Sequence, residues 1–366
     1  MNIAFNDLTI KNRNNYIKIF KNFLNSGKFV NGKNVFEFEK QFSKKFNFKY
    51  GIGCNSGTDA IEVALRFLKK KNNEAAITVS HTATATVSAI LRAGITPIFC
   101  DIEKNFNTMC PLSLEKTIKI CLKKKINIKY IIPVHIYGQL SDMEKINKIA
   151  KKFNLTIIED CSQSHGAKYI KNKNLKKNLS IFSLYPTKNL GALGDAGIIC
   201  TNNKKYYLKM KSLTEYGWKN RICKDYKGIN SRLDEIQASL LLFKLKSFDK
   251  NQIKRQSIVK KYFNIIKNNK VKLPSIRKNT IHAFHLFVVE VNKRKEFINY
   301  LKKKKIGSSI HYIKPLHKHE GYRNILKFDK LKNTENLCKR IVSLPLNDNL
   351  SFKDCIKVSN TINTFR

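Results

Sequence analysis

Residues 183–197 read SLYPTKNLGALGDAG and set one lysine, Lys188, among small residues and glycines. Elsewhere lysine comes in runs such as KKKNN and LKKKKIG, the mark of a solvated surface. Here LSIFSLY (179–185) reads as a buried strand, Pro186 ends it, and Gly191, Gly194 and Gly197 allow a tight turn. A lysine desolvated at the edge of a sheet has its charged form disfavoured, which leaves a nucleophilic amine. A lysine that merely reaches solvent is the other reading of this stretch taken alone.

Two further stretches carry chemistry-bearing residues. In IGCNSGTDAIEVALRFL (52–68), Ile61, Ala64, Leu65 and Leu68 fit one helix face, with Ser56, Gly57 and Thr58 at its start. Free N–H groups and hydroxyls at a helix start suit an anion, most naturally a phosphate; an ordinary Ser/Thr cap is the alternative. The GKS/GKT of a P-loop is absent and GIGCNSG misses the GxGxxG spacing. In LTIIEDCSQSHGA (155–167), Asp160 falls at the carboxyl end of a predicted strand, where open α/β sheets bind ligands. A carboxylate there needs a cationic partner: a helix start, a structural arginine, or the protonated ring nitrogen of a cofactor. Glu159 points to the other side of the strand, and Cys161 reads as a small buried residue. Taken together, a phosphate cup, a carboxylate and a lysine, in that order, match the requirements of pyridoxal phosphate.

The elements that must position these groups are strands alternating with helices. AAITVS (75–80), TPIFCDI (96–102), IKYIIPV (128–134), LTIIED (155–160), LSIFSLY and AGIIC (196–200) read as buried strands, and SDMEKINKIAKKFN (141–154) as an amphipathic helix. This alternation predicts an α/β fold with a largely parallel sheet between helices. From about residue 231 two long helices follow, then a mixed region with AFHLFVVEV and GSSIHYI as strands. The expected division is a large domain over 1–248 and a smaller C-terminal α+β domain over 249–366. With 366 residues, 42% of them hydrophobic, a sizeable core is available and disorder is not expected. No apolar run suits a membrane span and the first residues lack a signal-peptide pattern, so the expected location is the cytoplasm. Nine scattered cysteines without a CxxC or Cys/His cluster argue for reduced thiols and against a zinc site. The net charge of +45 raises nucleic acid or another polyanion as a remote alternative partner. The excess is spread along the chain and is lysine, where base readout favours arginine.

The ordered segments SGTDAIEVAL, HTATATVSAI, PVHIYGQLSDM, EDCSQSHGA, SLYPTKNLGALGDAG, EYGW, GINSRLDEIQAS and IHYIKPLH resemble the DegT/DnrJ/EryC1/StrS family of sugar aminotransferases over nearly the whole chain. The resemblance implies an aspartate-aminotransferase-like fold (type I), with a mostly parallel seven-stranded sheet. It implies pyridoxal 5'-phosphate as cofactor, in its pyridoxamine form for the second half of the reaction. Lys188 would be the Schiff-base lysine and proton carrier, Asp160 the partner of the pyridinium nitrogen, and Gln163 that of the ring hydroxyl. Gly57, Thr58 and Ser183 would hold the phosphate, joined by Asn230 across the interface of a homodimer. Tyr185, Tyr312 and His317 are the substrate candidates. Ala83 stands where many members carry an aromatic stacked on the ring, so either its methyl or His81 would cover the ring. The implied reaction takes an amino group from an amino acid, with glutamate the expected donor, to a nucleotide-linked keto-deoxysugar for surface glycan assembly. HTATATVSAI and EYGW resemble members acting at C3 of dTDP-3-keto-6-deoxyhexoses; C4 of a UDP- or dTDP-4-keto sugar is the alternative.

Overall fold

The computed structural model describes residues 2–170 and 179–366. Seven strands follow the chain through the central sheet: β1 (Tyr50–Cys54), β2 (Glu74–Val79), β3 (Thr96–Cys100), β4 (Asn127–Ile131), β5 (Thr156–Asp160), β6 (Leu179–Ser183) and β7 (Gly197–Thr201). Their spatial order is β1-β7-β6-β5-β4-β2-β3. Only β7 runs antiparallel to its neighbours. The sheet has eight strands where seven were expected. Leu326–Lys327 adds a short parallel strand outside β3, and nothing in the alternation of the first 200 residues announces it.

The strands are short, apolar and buried on both faces, as helices on either side require. β4 stops two residues before Pro133, which has no N–H for a ladder. The helix Met143–Lys152 begins where Asp142 accepts the Lys145 N–H at 3.2 Å, and it turns Met143, Ile146, Ile149 and Ala150 inward.

A second core forms around a three-stranded antiparallel sheet of Val271–Lys272, Phe287–Val291 and Ile341–Leu344. Tyr262, Phe287, Phe297, Val342 and Val358 are fully buried in it, and Ile3 joins from the N-terminus. Two expected strands are corrected. In AFHLFVVEV only Phe287–Val291 is strand, because Ala283 and Leu286 donate to the carbonyls of Gly138 and Tyr137 instead of a neighbouring strand. GSSIHYI forms no strand; Ser309 makes one bridge to Ser343 and the chain then turns. Leu316 and Leu331 pack against Val87 and Phe99, so this C-terminal stretch reaches back onto the large sheet.

Candidate active site

The carboxyl ends of β5 and β6 bring together Asp160 and Lys188. Lys188 sits in a turn closed by its own N–H to the Tyr185 carbonyl at 2.8 Å, with Ala192 N–H on the Leu184 carbonyl at 2.7 Å. Gly191 is required there: a Cβ would lie 2.4 Å from the Pro186 oxygen and 2.7 Å from that of Tyr185. The Lys188 side chain keeps a little solvent contact. Protein nevertheless surrounds it densely enough that burial pulls its ammonium down to about 8, while Asp160 acts in the opposite direction. Among the described residues its Nζ has no hydrogen-bond or ion-pair partner. Three histidines, His165, His285 and His311, feel its charge, and burial holds all three below their usual range.

Asp160 is 4% exposed. Its Oδ2 accepts Thr86 Oγ1–H at 2.8 Å and its Oδ1 the Ser162 N–H at 3.1 Å. Thr82 supports Thr86 at 2.9 Å. Among the described residues Asp160 makes no salt bridge, so a buried, oriented carboxylate faces a largely enclosed, unpartnered amine. That is the donor set a protonated ring nitrogen and an aldehyde carbon require.

The candidate phosphate cup is assembled from three segments. Ser56 caps the helix Gly57–Leu68 by accepting the Asp59 N–H at 3.1 Å, which leaves the N–H groups of Gly57 and Thr58 without an intrahelical acceptor. A Cβ on Gly57 would lie 2.7 Å from Ser183 Cβ, and one on Gly197 would lie 2.4 Å from the Ser56 carbonyl carbon and oxygen. Backbone therefore packs on backbone, and the cradle admits no added side chain. Gly197→Ala should push the helix start off its place and weaken cofactor retention roughly tenfold, a backbone overpacking of about 1–3 kcal/mol. Equilibrium dialysis against pyridoxal phosphate, with the melting temperature read in parallel, checks it.

Gln163 is 5% exposed. Its Oε1 accepts the Tyr137 N–H at 2.7 Å and its Nε2 donates to Tyr312 Oη at 3.1 Å. Burial pushes the Tyr312 phenol up to about 12, offset by Gln163 and reinforced by Asp160. Ala83 is the partly exposed residue that precedes the helix Thr84–Arg92. His81 is 1% exposed and uses both ring nitrogens, on Tyr137 Oη at 2.5 Å and Cys338 Sγ at 3.4 Å. Both nitrogens are thus held inside the protein, and almost none of the ring is exposed.

Among the described residues, three predicted site residues make no side-chain hydrogen bond to Lys188, Asp160 or Gln163. Tyr185 is half exposed beside the lysine turn. Asn230 is exposed, although Ser231 next to it ties to Asn55 N–H and Asp59. His317 is buried with Nδ1 on Ser80 Oγ at 2.7 Å and Nε2 on Glu335 at 3.0 Å, so it fastens the C-terminal stretch to the end of β2. Sequence reasoning missed Thr86 and Tyr137; the hydroxyls of Thr82 and Thr86, on either side of a helix start, were the available sign of a polar partner for Asp160.

On the far side of β5, ligand atoms of His135, Glu159 and Cys161 lie within 4.8 Å of one another. His135 Nδ1 accepts the Ser141 N–H at 3.0 Å, so Nε2 carries the ring proton and donates it to Glu159 at 2.9 Å. A metal on Nε2 would need that proton moved to Nδ1, against the Ser141 N–H. The chemistry is that of a hydrogen-bonded core histidine.

A mostly parallel sheet whose carboxyl ends carry a phosphate cradle, an unpaired carboxylate and a desolvated lysine defines a pyridoxal-phosphate enzyme of the aminotransferase class. The model of the DegT/DnrJ/EryC1/StrS aminotransferase family matches residues 11–363, and the chain belongs to that family. It is 37% identical over 359 residues to dTDP-3-amino-3,6-dideoxy-alpha-D-galactopyranose transaminase of Aneurinibacillus thermoaerophilus, covering 93% of each chain. It is 30% identical to dTDP-3-amino-3,4,6-trideoxy-alpha-D-glucose transaminase of Streptomyces venezuelae, over 93% of this chain and 89% of that one. Among solved structures, S. venezuelae DesV superposes with a TM-score of 0.92 at 29% identity, covering 99% of this chain and 98% of that one. NtdA from Bacillus subtilis, with bound cofactor PMP, superposes at 0.88 with 26% identity, over 99% and 84%.

Proposed function

We propose that this aminotransferase moves an amino group from an amino acid, with glutamate the expected donor, to the C3 ketone of a dTDP-linked 3-keto-6-deoxyhexose. The observation that carries amino transfer is the pairing of an unpartnered Lys188 with an unpaired, oriented Asp160. The sugar assignment is supported by the activities that name the similar proteins of A. thermoaerophilus and S. venezuelae.

Bound pyridoxal phosphate supplies an electron sink for the carbon that loses or gains a proton. The chain's own residues do the rest. The N–H groups of Gly57 and Thr58, with the Ser183 hydroxyl, hold the phosphate. Asp160 keeps the ring nitrogen protonated, since a positive partner relieves the cost of its burial. Gln163 donates to the ring oxygen. Lys188 would hold the cofactor at its aldehyde carbon and, once released by the incoming amine, would carry the proton at the reacting carbon. Ala83 would cover one ring face with no more than a methyl, and Tyr185 and Tyr312 would stand at the substrate side. For His317 we propose a supporting place, behind the substrate contacts.

The proposed assembly is a homodimer. The helix Arg13–Ser26 has no buried residue, yet it exposes Ile17, Phe20 and Leu24 at about half their area, an apolar face that a second copy would cover. Asn230, exposed near the cup, would reach the partner's phosphate. We place the division of domains at 248/249, where the helix Phe248–Ile265 begins. No helix among the described residues is long and apolar enough to cross a membrane. With nine free thiols, the reducing cytoplasm is the proposed location.

Incubation with glutamate and a panel of 3-keto and 4-keto dTDP and UDP sugars, with products read by mass and NMR, tests the assignment. The dTDP-3-keto-6-deoxyhexose should exceed the 4-keto sugars in kcat/KM by about tenfold or more. The reverse order would assign C4 instead.

A further inference from the structure

Tyr137 takes no part in the chemistry above, yet its main chain and its hydroxyl both tie into the residues behind the site. It is 4% exposed and adopts φ 60 and ψ 0, a left-handed conformation unfavourable for a bulky residue. Its N–H goes to Gln163 Oε1 and its carbonyl accepts the Leu286 N–H at 3.3 Å. Its hydroxyl meets two groups, His81 Nε2 at 2.5 Å and the carbonyl oxygen of His311. His81 in turn reaches Cys338 through Nδ1.

We propose that Tyr137 is a positioning residue, and that a one-directional hydrogen-bond chain from Cys338 through His81 and Tyr137 to the His311 carbonyl holds Gln163 and Tyr312 as donors toward the cofactor's ring oxygen. The proposal rests on the reading of the site given above.

The direction follows from counting protons. Burial, with His311 adding to it, pushes His81 down to about 3, so the ring is neutral and has one N–H. Burial pushes the Cys338 thiol up to about 12 and holds the Tyr137 phenol well above its usual range. Each member then has one hydrogen. The His311 carbonyl has none and only accepts, so Tyr137 O–H must point there. His81 Nε2–H must then donate to Tyr137, and Cys338 S–H to the bare Nδ1. The opposite order would leave the Tyr137 oxygen against the His311 carbonyl with no hydrogen between them, a costly arrangement when buried. The chain joins His81 and Tyr137 of the large sheet's loops to His311 and Cys338 of the C-terminal region.

The consequence lies at Gln163. Because its Oε1 is taken by the Tyr137 N–H, Nε2 is the end that turns toward Tyr312. One Nε2 hydrogen serves Tyr312 Oη; the other, and the Tyr312 O–H, remain as donors. Two donors and no acceptor suit an oxygen that carries negative charge.

The test uses the full chain loaded with pyridoxal phosphate. Tyr137→Phe keeps the N–H and the ring and removes only the hydroxyl. It should raise the pH midpoint of the cofactor's visible band by about half a pH unit or more, since a side chain at position 137 untied from the His311 carbonyl lets Gln163 and Tyr312 shift from the ring oxygen, and weaker donation leaves the ring system holding its proton longer. Cofactor affinity should fall roughly tenfold. Cys338→Ser, which still has a hydrogen for His81, should behave as the wild type, whereas Cys338→Ala should shift as Tyr137→Phe does. A Tyr137→Phe protein with wild-type affinity and midpoint overturns the proposal. If that variant does not fold, identical midpoints for Cys338→Ser and Cys338→Ala overturn it. A wild-type protein that gains no visible band overturns the site reading itself, a distinct result.

Discussion

Lys188→Ala is expected to lower transamination by about a thousandfold or more, because it removes both the amine that holds the cofactor and the general acid–base that moves the proton. The protein should still fold, since the variant removes an unpartnered charge from a dense surrounding. The visible cofactor band should be lost, and stopped assays with glutamate should show no keto acid above background. The pH behaviour of the wild type follows from the same residue. With the folded-state value near 8 and the ordinary one at 10.5, the amine is free above about 8, so its reaction with added pyridoxal phosphate should rise through that pH. The sign for stability is the matching one. Between about 8 and 10.5 the folded apoprotein binds fewer protons at Lys188 than the unfolded chain, so stability rises with pH across that window.

Asp160→Asn has the second large expected effect, a loss of about a hundredfold to a thousandfold in kcat/KM. The amide would keep a bond to Ser162 or Thr86 but cannot balance a protonated ring nitrogen, and breaking a buried pair costs ~3–5 kcal/mol. Melting temperature should change little or rise, because the apoprotein no longer buries an unpaired carboxylate. Reduced activity with the absorption spectrum of the bound cofactor altered in step supports the role. A variant with wild-type rate and spectrum would show that Asp160 only orders the end of β5.

The groups legible in the sequence are those defined by local order. Lys188, Asp160 and the Gly57–Thr58 helix start each end or begin an element whose periodicity announces it, and the α/β alternation places those ends on one edge of the sheet. The groups that were not legible depend on distant contacts. Tyr137 lies on a reversal at φ 60 that PVHIYGQ does not signal, and its hydroxyl partner His311 is 174 residues away. The resemblance offers His81 as a cover for the ring, yet its partner Cys338, 257 residues on, engages its Nδ1. His317 shows the same limit: the resemblance implies a substrate contact, and nothing in the sequence signals that Ser80 and Glu335 occupy both its nitrogens. The short strand Leu326–Lys327 was missed because two residues carry no period.

The central claim is that one lysine, in a chain crowded with them, carries the cofactor. Reduction of the protein with borohydride in the presence of pyridoxal phosphate, followed by peptide mass mapping, tests it most directly. At sub-stoichiometric cofactor near pH 8, the label should fall on Lys188 within SLYPTKNLGALGDAG. A label spread over surface lysines, or concentrated on a lysine outside that turn, would contradict the account.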